Sequence, residues 1–184
     1  MKPGEEIAVS TGEDGREYRC GILFMDDQMV TCELRFVKES GVELPSEVFL
    51  FQGLPKADKM ELIIQKAVEL GVREIIPVAA KRSVVRLDEK KAQNKLTRWQ
   101  QIAEAAAKQS KRAMIPQVSG VMSFPDAVKY AEYMEVKLIP YELAQGMGHT
   151  KAIIENLKPG QKIAVFIGPE GGFEGREIAL AKEA

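Results

Sequence analysis

From residue 47 onward, short apolar runs alternate with segments whose apolar residues recur every three to four positions, and this rhythm leaves few folds open. Val48-Phe49-Leu50-Phe51-Gln52 reads as a strand buried on both faces. Over residues 56–70, Met60, Ile63, Ile64, Ala67 and Val68 fall on one helical stripe, and Gly71 ends it. Residues 74–78 form the next strand and 94–111 a longer helix. Residues 116–118 are strand-like, 124–133 helical, 136–140 a strand and 151–157 a helix. Residues 162–167 are the most strongly apolar strand, and a last helix begins at Glu174. Such alternation predicts an α/β fold, a parallel sheet with flanking helices.

Residues 1–44 follow another pattern. Strand-like runs at 6–9, 18–24 and 29–34 are separated by turn chemistry at Gly12-Glu13-Asp14-Gly15 and Asp26-Asp27. About forty residues are too few for an independent barrel. They are expected to be part of a small β domain whose beginning lies outside this chain.

Composition narrows the chemistry. Cys20 and Cys32 show no metal-type spacing and are expected to be reduced thiols in a cytoplasmic protein. With His149 the sole histidine, neither a zinc site nor a Ser-His-Asp triad is expected, and no metal is predicted. No apolar run is long enough to cross a bilayer. The net charge of -1 conceals an asymmetry: residues 55–112 hold fourteen Lys and Arg against seven Asp and Glu. That segment is read as a basic face, although a solvated helix surface accounts for it equally well.

Three features can carry function. Gly168-Pro169-Glu170-Gly171-Gly172-Phe173 lies between a buried strand and a helix, where the ligands of open α/β sheets bind. It matches neither the Walker nor the Rossmann phosphate loop. Pro140-Tyr141-Glu142 follows another strand, with a ring suited to stacking and a carboxylate suited to a ribose or amine. The long helix carries Arg98, Gln101, Lys108 and Arg112 opposite an apolar side of Leu96, Trp99, Ile102, Ala103, Ala106 and Ala107. Joined by Lys56, Arg82 and Arg86, the cationic stripe suits phosphate tracking. Taken one at a time, each of these charges is more readily a solvated surface residue.

Taken as a set, these segments resemble the ribosomal RNA uridine N3-methyltransferases that act on the small subunit, a family of the SPOUT class of knotted methyltransferases. The resemblance is carried by Leu54-Pro55-Lys56-Ala57-Asp58-Lys59-Met60-Glu61, Gln65-Lys66-Ala67-Val68-Glu69-Leu70-Gly71-Val72 and Lys81-Arg82-Ser83. It continues through Arg98-Trp99-Gln100-Gln101-Ile102-Ala103-Glu104-Ala105-Ala106, Gln109-Ser110, Pro140-Tyr141-Glu142 and Ile167-Gly168-Pro169-Glu170-Gly171-Gly172-Phe173. It implies a SPOUT domain over 45–184, preceded over 1–44 by part of a PUA-like β domain that binds RNA. It also implies a homodimer acting on 16S ribosomal RNA. S-adenosylmethionine would be held, in a bent conformation, by Leu138, Pro140, Tyr141, Glu142, Ile167, Gly168, Pro169, Glu170, Gly171 and Gly172. Lys56, Arg82, Lys108 and Arg112 would face RNA. In this family a further segment passes through a trefoil knot and completes the pocket; that segment is expected to lie beyond Ala184.

The reaction implied is in-line methyl transfer to uracil N3, driven mainly by positioning and by stabilising charge on the uracil oxygens. No general base is assigned; Glu170 is a candidate by location alone. Three readings stay open beside this one: a knotted methyltransferase with another RNA target, a non-catalytic RNA-binding module, and a flavodoxin-like nucleotide-binding enzyme.

Overall fold

The computed structural model describes residues 1–39, 41–85, 87–141 and 148–184. They fall into two compact units: Met1–Glu43 with Ala107–Ile115, and Leu44–Ala106 with Pro116–Ala184.

The first unit is built on an antiparallel sheet of β1 (Glu6–Val9), β2 (Arg16–Met25) and β3 (Val30–Glu39), in that order. Asp26 makes the β2–β3 turn, because its Oδ1 accepts the N–H groups of Gln28 and Met29, both at 2.8 Å. Cys20 and Ile22, two residues apart and so on one face of β2, are buried at 9% and 2% exposure, and two register shifts interrupt the β2–β3 pairing beside them. Cys20 and Cys32 are free thiols.

Grouping Ala107–Ile115 with these strands departs from a division of the chain at residue 44. The physical tie is local. The Ile115 N–H donates to the Gly12 carbonyl at 2.9 Å, and the Arg112 guanidinium grips the Glu43 carboxylate. Gly12 adopts φ +84, and a β-carbon there would stand 2.9 Å from Ile115 Cδ1.

The second unit holds a parallel sheet. Its strands are β4 (Glu47–Gly53), β5 (Glu74–Ala79), β6 (Gln117–Val118), β8 (Val136–Leu138) and β9 (Lys162–Ile167), in the order β6-β5-β4-β9-β8. A two-residue β7 (Met122–Ser123) also pairs with β5. Sequence reading missed β7, since two residues carry no period. The helices are α1 (Lys59–Glu69), α2 (Glu89–Gln109), α3 (Phe124–Tyr130), α4 (Gly148–Glu155) and α5 (Gly175–Glu183).

In α1, Met60, Ile64 and Val68 are buried, as the stripe requires. Its end is a Schellman turn: Gly71 at φ +98, with Val72 N–H on the Ala67 carbonyl and Gly71 N–H on that of Val68. α2 starts five residues before the expected Asn94, because the Asp88 carboxylate accepts the Lys91 N–H at 2.8 Å and caps an earlier turn. Gln100 fastens β6 to this helix, accepting the Val118 N–H at 2.9 Å and donating to the Pro116 carbonyl at 3.2 Å.

The core lies on the face of the sheet that carries Phe51 and Phe166. Their rings stack at 4.3 Å and 6°, and Phe124 and Phe173 close the cluster. Each such pair contributes about 1 kcal/mol beyond its burial.

Candidate functional site

Parallel strands end at one edge of a sheet, so the connections after β4, β5, β8 and β9 emerge on the same side. The β9 connection, residues 168–173, is wedged among the others by the absence of side chains. A β-carbon on Gly53, the last residue of β4, would lie 2.6 Å from Pro169 Cδ and 2.7 Å from Pro169 N. On Gly168 it would lie 3.1 Å from Gly172 Cα. Gly172 takes φ +67, and its N–H closes a turn onto the Pro169 carbonyl at 2.8 Å.

Two side-chain ties hold this loop. The Glu170 carboxylate accepts the Lys56 N–H, at 3.2 Å to each oxygen, and the Lys59 ammonium at 3.0 Å. Its own backbone amide first, and then Lys59, holds the Glu170 carboxyl below the usual carboxylate range. Ala57, beside Lys56, sits at φ 51, a backbone conformation that costs a non-glycine residue about 1 kcal/mol or more. On the other flank, Arg82 Nη1 donates to the Gly171 carbonyl at 3.0 Å. Glu177 of α5 accepts the N–H groups of Lys81 and Glu174, each at 2.8 Å, and so anchors the β5 connection to the start of α5.

Between the β8 and β9 connections opens a cleft of about 240 Å³, lined by Pro140, Tyr141, Gly168, Pro169, Glu170, Gly172 and Phe173. Six of the ten residues expected to hold a cofactor therefore converge there. Leu138 instead lines a smaller hollow beside Val128 and Phe166. Ile167 is 36% exposed, and Gly171 faces Arg82 rather than the cleft. Glu142 lies outside the described residues. Phe173 is the lining residue that sequence reasoning left out. It is 4% exposed and joins the cleft to the aromatic core, and an aromatic closing a glycine loop was the available signal.

The cationic set is less uniform than its spacing suggests. Lys56 and Lys108 are exposed. Arg98 is spent on Glu61, with Nε–Oε1 at 2.7 Å and Nη2–Oε2 at 2.8 Å. Arg82 is tied to the glycine loop, and Arg86 lies outside the described residues. Arg112 corrects the sequence expectation of a continuous stripe. α2 ends at Gln109, and Lys111 turns the chain at φ 58. The Arg112 side chain is then only 4% exposed and bonds Glu43, its Nη2 lying 2.5 Å from Oε2, so no phosphate-facing guanidinium remains there. Among the described residues, no cluster of three potential metal ligands occurs and no helix is long and apolar enough to cross a membrane.

Comparison with known proteins gives this geometry a context. The family model described as an RNA methyltransferase domain matches residues 42–184. The chain is 37% identical to the ribosomal RNA small subunit methyltransferase E of Bacillus subtilis, over all of this chain and 72% of that protein. Among solved structures, the small subunit methyltransferase E of Neisseria gonorrhoeae bound to S-adenosylmethionine superposes with a TM-score of 0.78 at 27% identity. That match covers all of this chain and 73% of the other. A Legionella pneumophila protein in complex with the same cofactor gives a TM-score of 0.79 at 29% identity, with 100% and 73% coverage.

Proposed function

Because this chain belongs to the RNA methyltransferase domain family, and within it to the ribosomal small-subunit methyltransferase E proteins, we propose that it methylates N3 of a uridine in 16S ribosomal RNA, using S-adenosylmethionine. The observation that carries the cofactor part is the cleft between the β8 and β9 connections. It lies on a fold shared with two proteins solved with S-adenosylmethionine.

The residues present fit such a ligand. Gly168 and Gly172 leave backbone rather than side chains on one wall, and Tyr141, half-buried on the other, offers a ring face. Bound there, S-adenosylmethionine supplies an electrophilic methyl group on a sulfonium. The protein's part is to hold that wall rigid and to present the methyl carbon in line with the attacking nitrogen. Glu170 serves this purpose as a structural anchor: its carboxylate is committed to Lys56 and Lys59, which leaves it a poor proton acceptor. Within the cationic set, Lys56 and Lys108 are exposed and have ammonium groups in none of the ion pairs among the described residues, which suits them to phosphate. The acceptor uracil has to be unpaired, since N3 lies on its Watson–Crick edge. The reading includes a SPOUT-type knotted domain, a PUA-like N-terminal part, cytoplasmic action and a homodimer, all carried by the family resemblance.

Calorimetric titration with S-adenosylmethionine, with ATP as comparison ligand, tests the cofactor reading. Selective binding of S-adenosylmethionine is expected; selective binding of ATP would overturn it. Mass spectrometry of ribosomal RNA from cells lacking the gene and from complemented cells tests the target. N3-methyluridine should disappear and return, and a different modified nucleoside would replace the N3 assignment.

A further inference from the structure

The glycine loop is held from outside the cleft by a residue that the family resemblance assigned to RNA. Arg82 projects from a turn anchored twice, by the Ser83 N–H on the Ala80 carbonyl at 3.0 Å and by the Lys81 N–H on Glu177 Oε1 at 2.8 Å. From this base its Nη1 reaches the Gly171 carbonyl at 3.0 Å. The aliphatic stem runs along the same residue, since a β-carbon on Gly171 would lie 3.3 Å from Arg82 Cβ and 3.7 Å from Cδ.

The bonded carbonyl matters because of what lies on the other side of its peptide group. The Gly171 carbonyl and the Gly172 N–H belong to one peptide unit, and that N–H closes the turn onto Pro169 at 2.8 Å. A charged donor on the oxygen polarises the unit and strengthens its N–H as a donor. Arg82 therefore acts on the turn whose Gly168, Pro169 and Gly172 form one wall of the cleft, without lining the cleft itself.

We propose that Arg82 is a positioning residue for the cofactor-binding loop: its guanidinium, bonded to the Gly171 carbonyl, sets the Pro169–Gly172 turn and thereby the affinity for S-adenosylmethionine. This rests on the cofactor reading above. A phosphate contact by the same arginine predicts the opposite pattern. It would reduce the salt dependence of RNA binding and leave the cofactor untouched.

The test uses the full chain and the variants Arg82→Ala and Arg82→Lys, with three readouts. These are S-adenosylmethionine affinity by calorimetry, hydrogen exchange of the Gly172 amide by NMR without cofactor, and the salt slope of RNA binding. Arg82→Ala should weaken cofactor binding about tenfold or more and speed Gly172 exchange by a similar factor, with an unchanged salt slope. Arg82→Lys, which keeps a charged donor on a long stem, should recover much of both; a purely structural injury would show no such rescue. Wild-type cofactor affinity and wild-type Gly172 exchange in Arg82→Ala would overturn the proposal. So would a salt slope reduced by about 0.7–0.9, the loss of one phosphate contact, in place of the other two effects. If a chain extended through the segment expected beyond Ala184 itself binds no S-adenosylmethionine, the cofactor reading falls. Gly172 exchange then still decides the tie: faster exchange in Arg82→Ala upholds it, and unchanged exchange removes it.

Discussion

Gly53 and Glu170 hold the glycine loop by opposite means, one by lacking a side chain and the other by spending one. Gly53→Ala would drive a methyl group into the Pro169 ring and backbone, neither of which is a flexible side-chain end able to yield. The expected outcome is destabilisation by about 1–3 kcal/mol in urea unfolding, together with weaker S-adenosylmethionine binding. Glu170→Ala removes the acceptor for the Lys56 N–H and frees Lys59, so cofactor affinity should fall, and unchanged affinity would remove the anchoring role. The pH dependence has a definite sign. The Glu170 carboxyl is depressed in the folded chain, so its contribution is complete above the unfolded value of about 4.3 and is lost only as pH falls through the lower folded value. Cofactor affinity measured between pH 6 and 8 should therefore show no step from this group.

Among the elements, the end of α2 shows how far a helical stripe can be followed. The periodicity that placed Trp99, Ala103, Ala106 and Ala107 on the buried side holds, with exposures of 3%, 0%, 5% and 1%. Beyond Gln109 it has no meaning, because Lys111 leaves the helix and carries Arg112 into the Glu43 pair. Arg112→Ala should cost about 3 kcal/mol by leaving the half-buried Glu43 carboxylate without its guanidinium partner, and a thermal unfolding scan would show it. RNA affinity of the folded variant should stay within twofold of wild type; a large fall would restore the phosphate-facing assignment. Gln100 belongs to the same scale, for its amide substitutes for a longer β6: Gln100→Ala leaves the Val118 N–H unpaired and should destabilise the chain by about 1–3 kcal/mol.

For the molecule as a whole, ligand linkage offers a check independent of any one residue. S-adenosylmethionine at a hundred times its dissociation constant should stabilise the chain by about 2.7 kcal/mol, raising its unfolding midpoint, while ATP should leave it unchanged. The larger lesson lies in which parts were legible before folding was known. Apart from the two-residue β7, strand and helix order over residues 47–183 followed from local pattern, since burial on both faces of a parallel strand and on one face of a helix writes itself into local sequence. The glycine loop was legible too, because its residue types suit close backbone approach and a positive φ. Pairing was not. No local pattern shows that Glu170 lies against Lys56, that Arg82 reaches Gly171, that Arg112 is buried with Glu43, or that residues 107–115 join the N-terminal strands. Charge and spacing describe what a side chain can bond. Only the tertiary fold, by bringing residues 114 positions apart within 3.2 Å, decides what each one does bond.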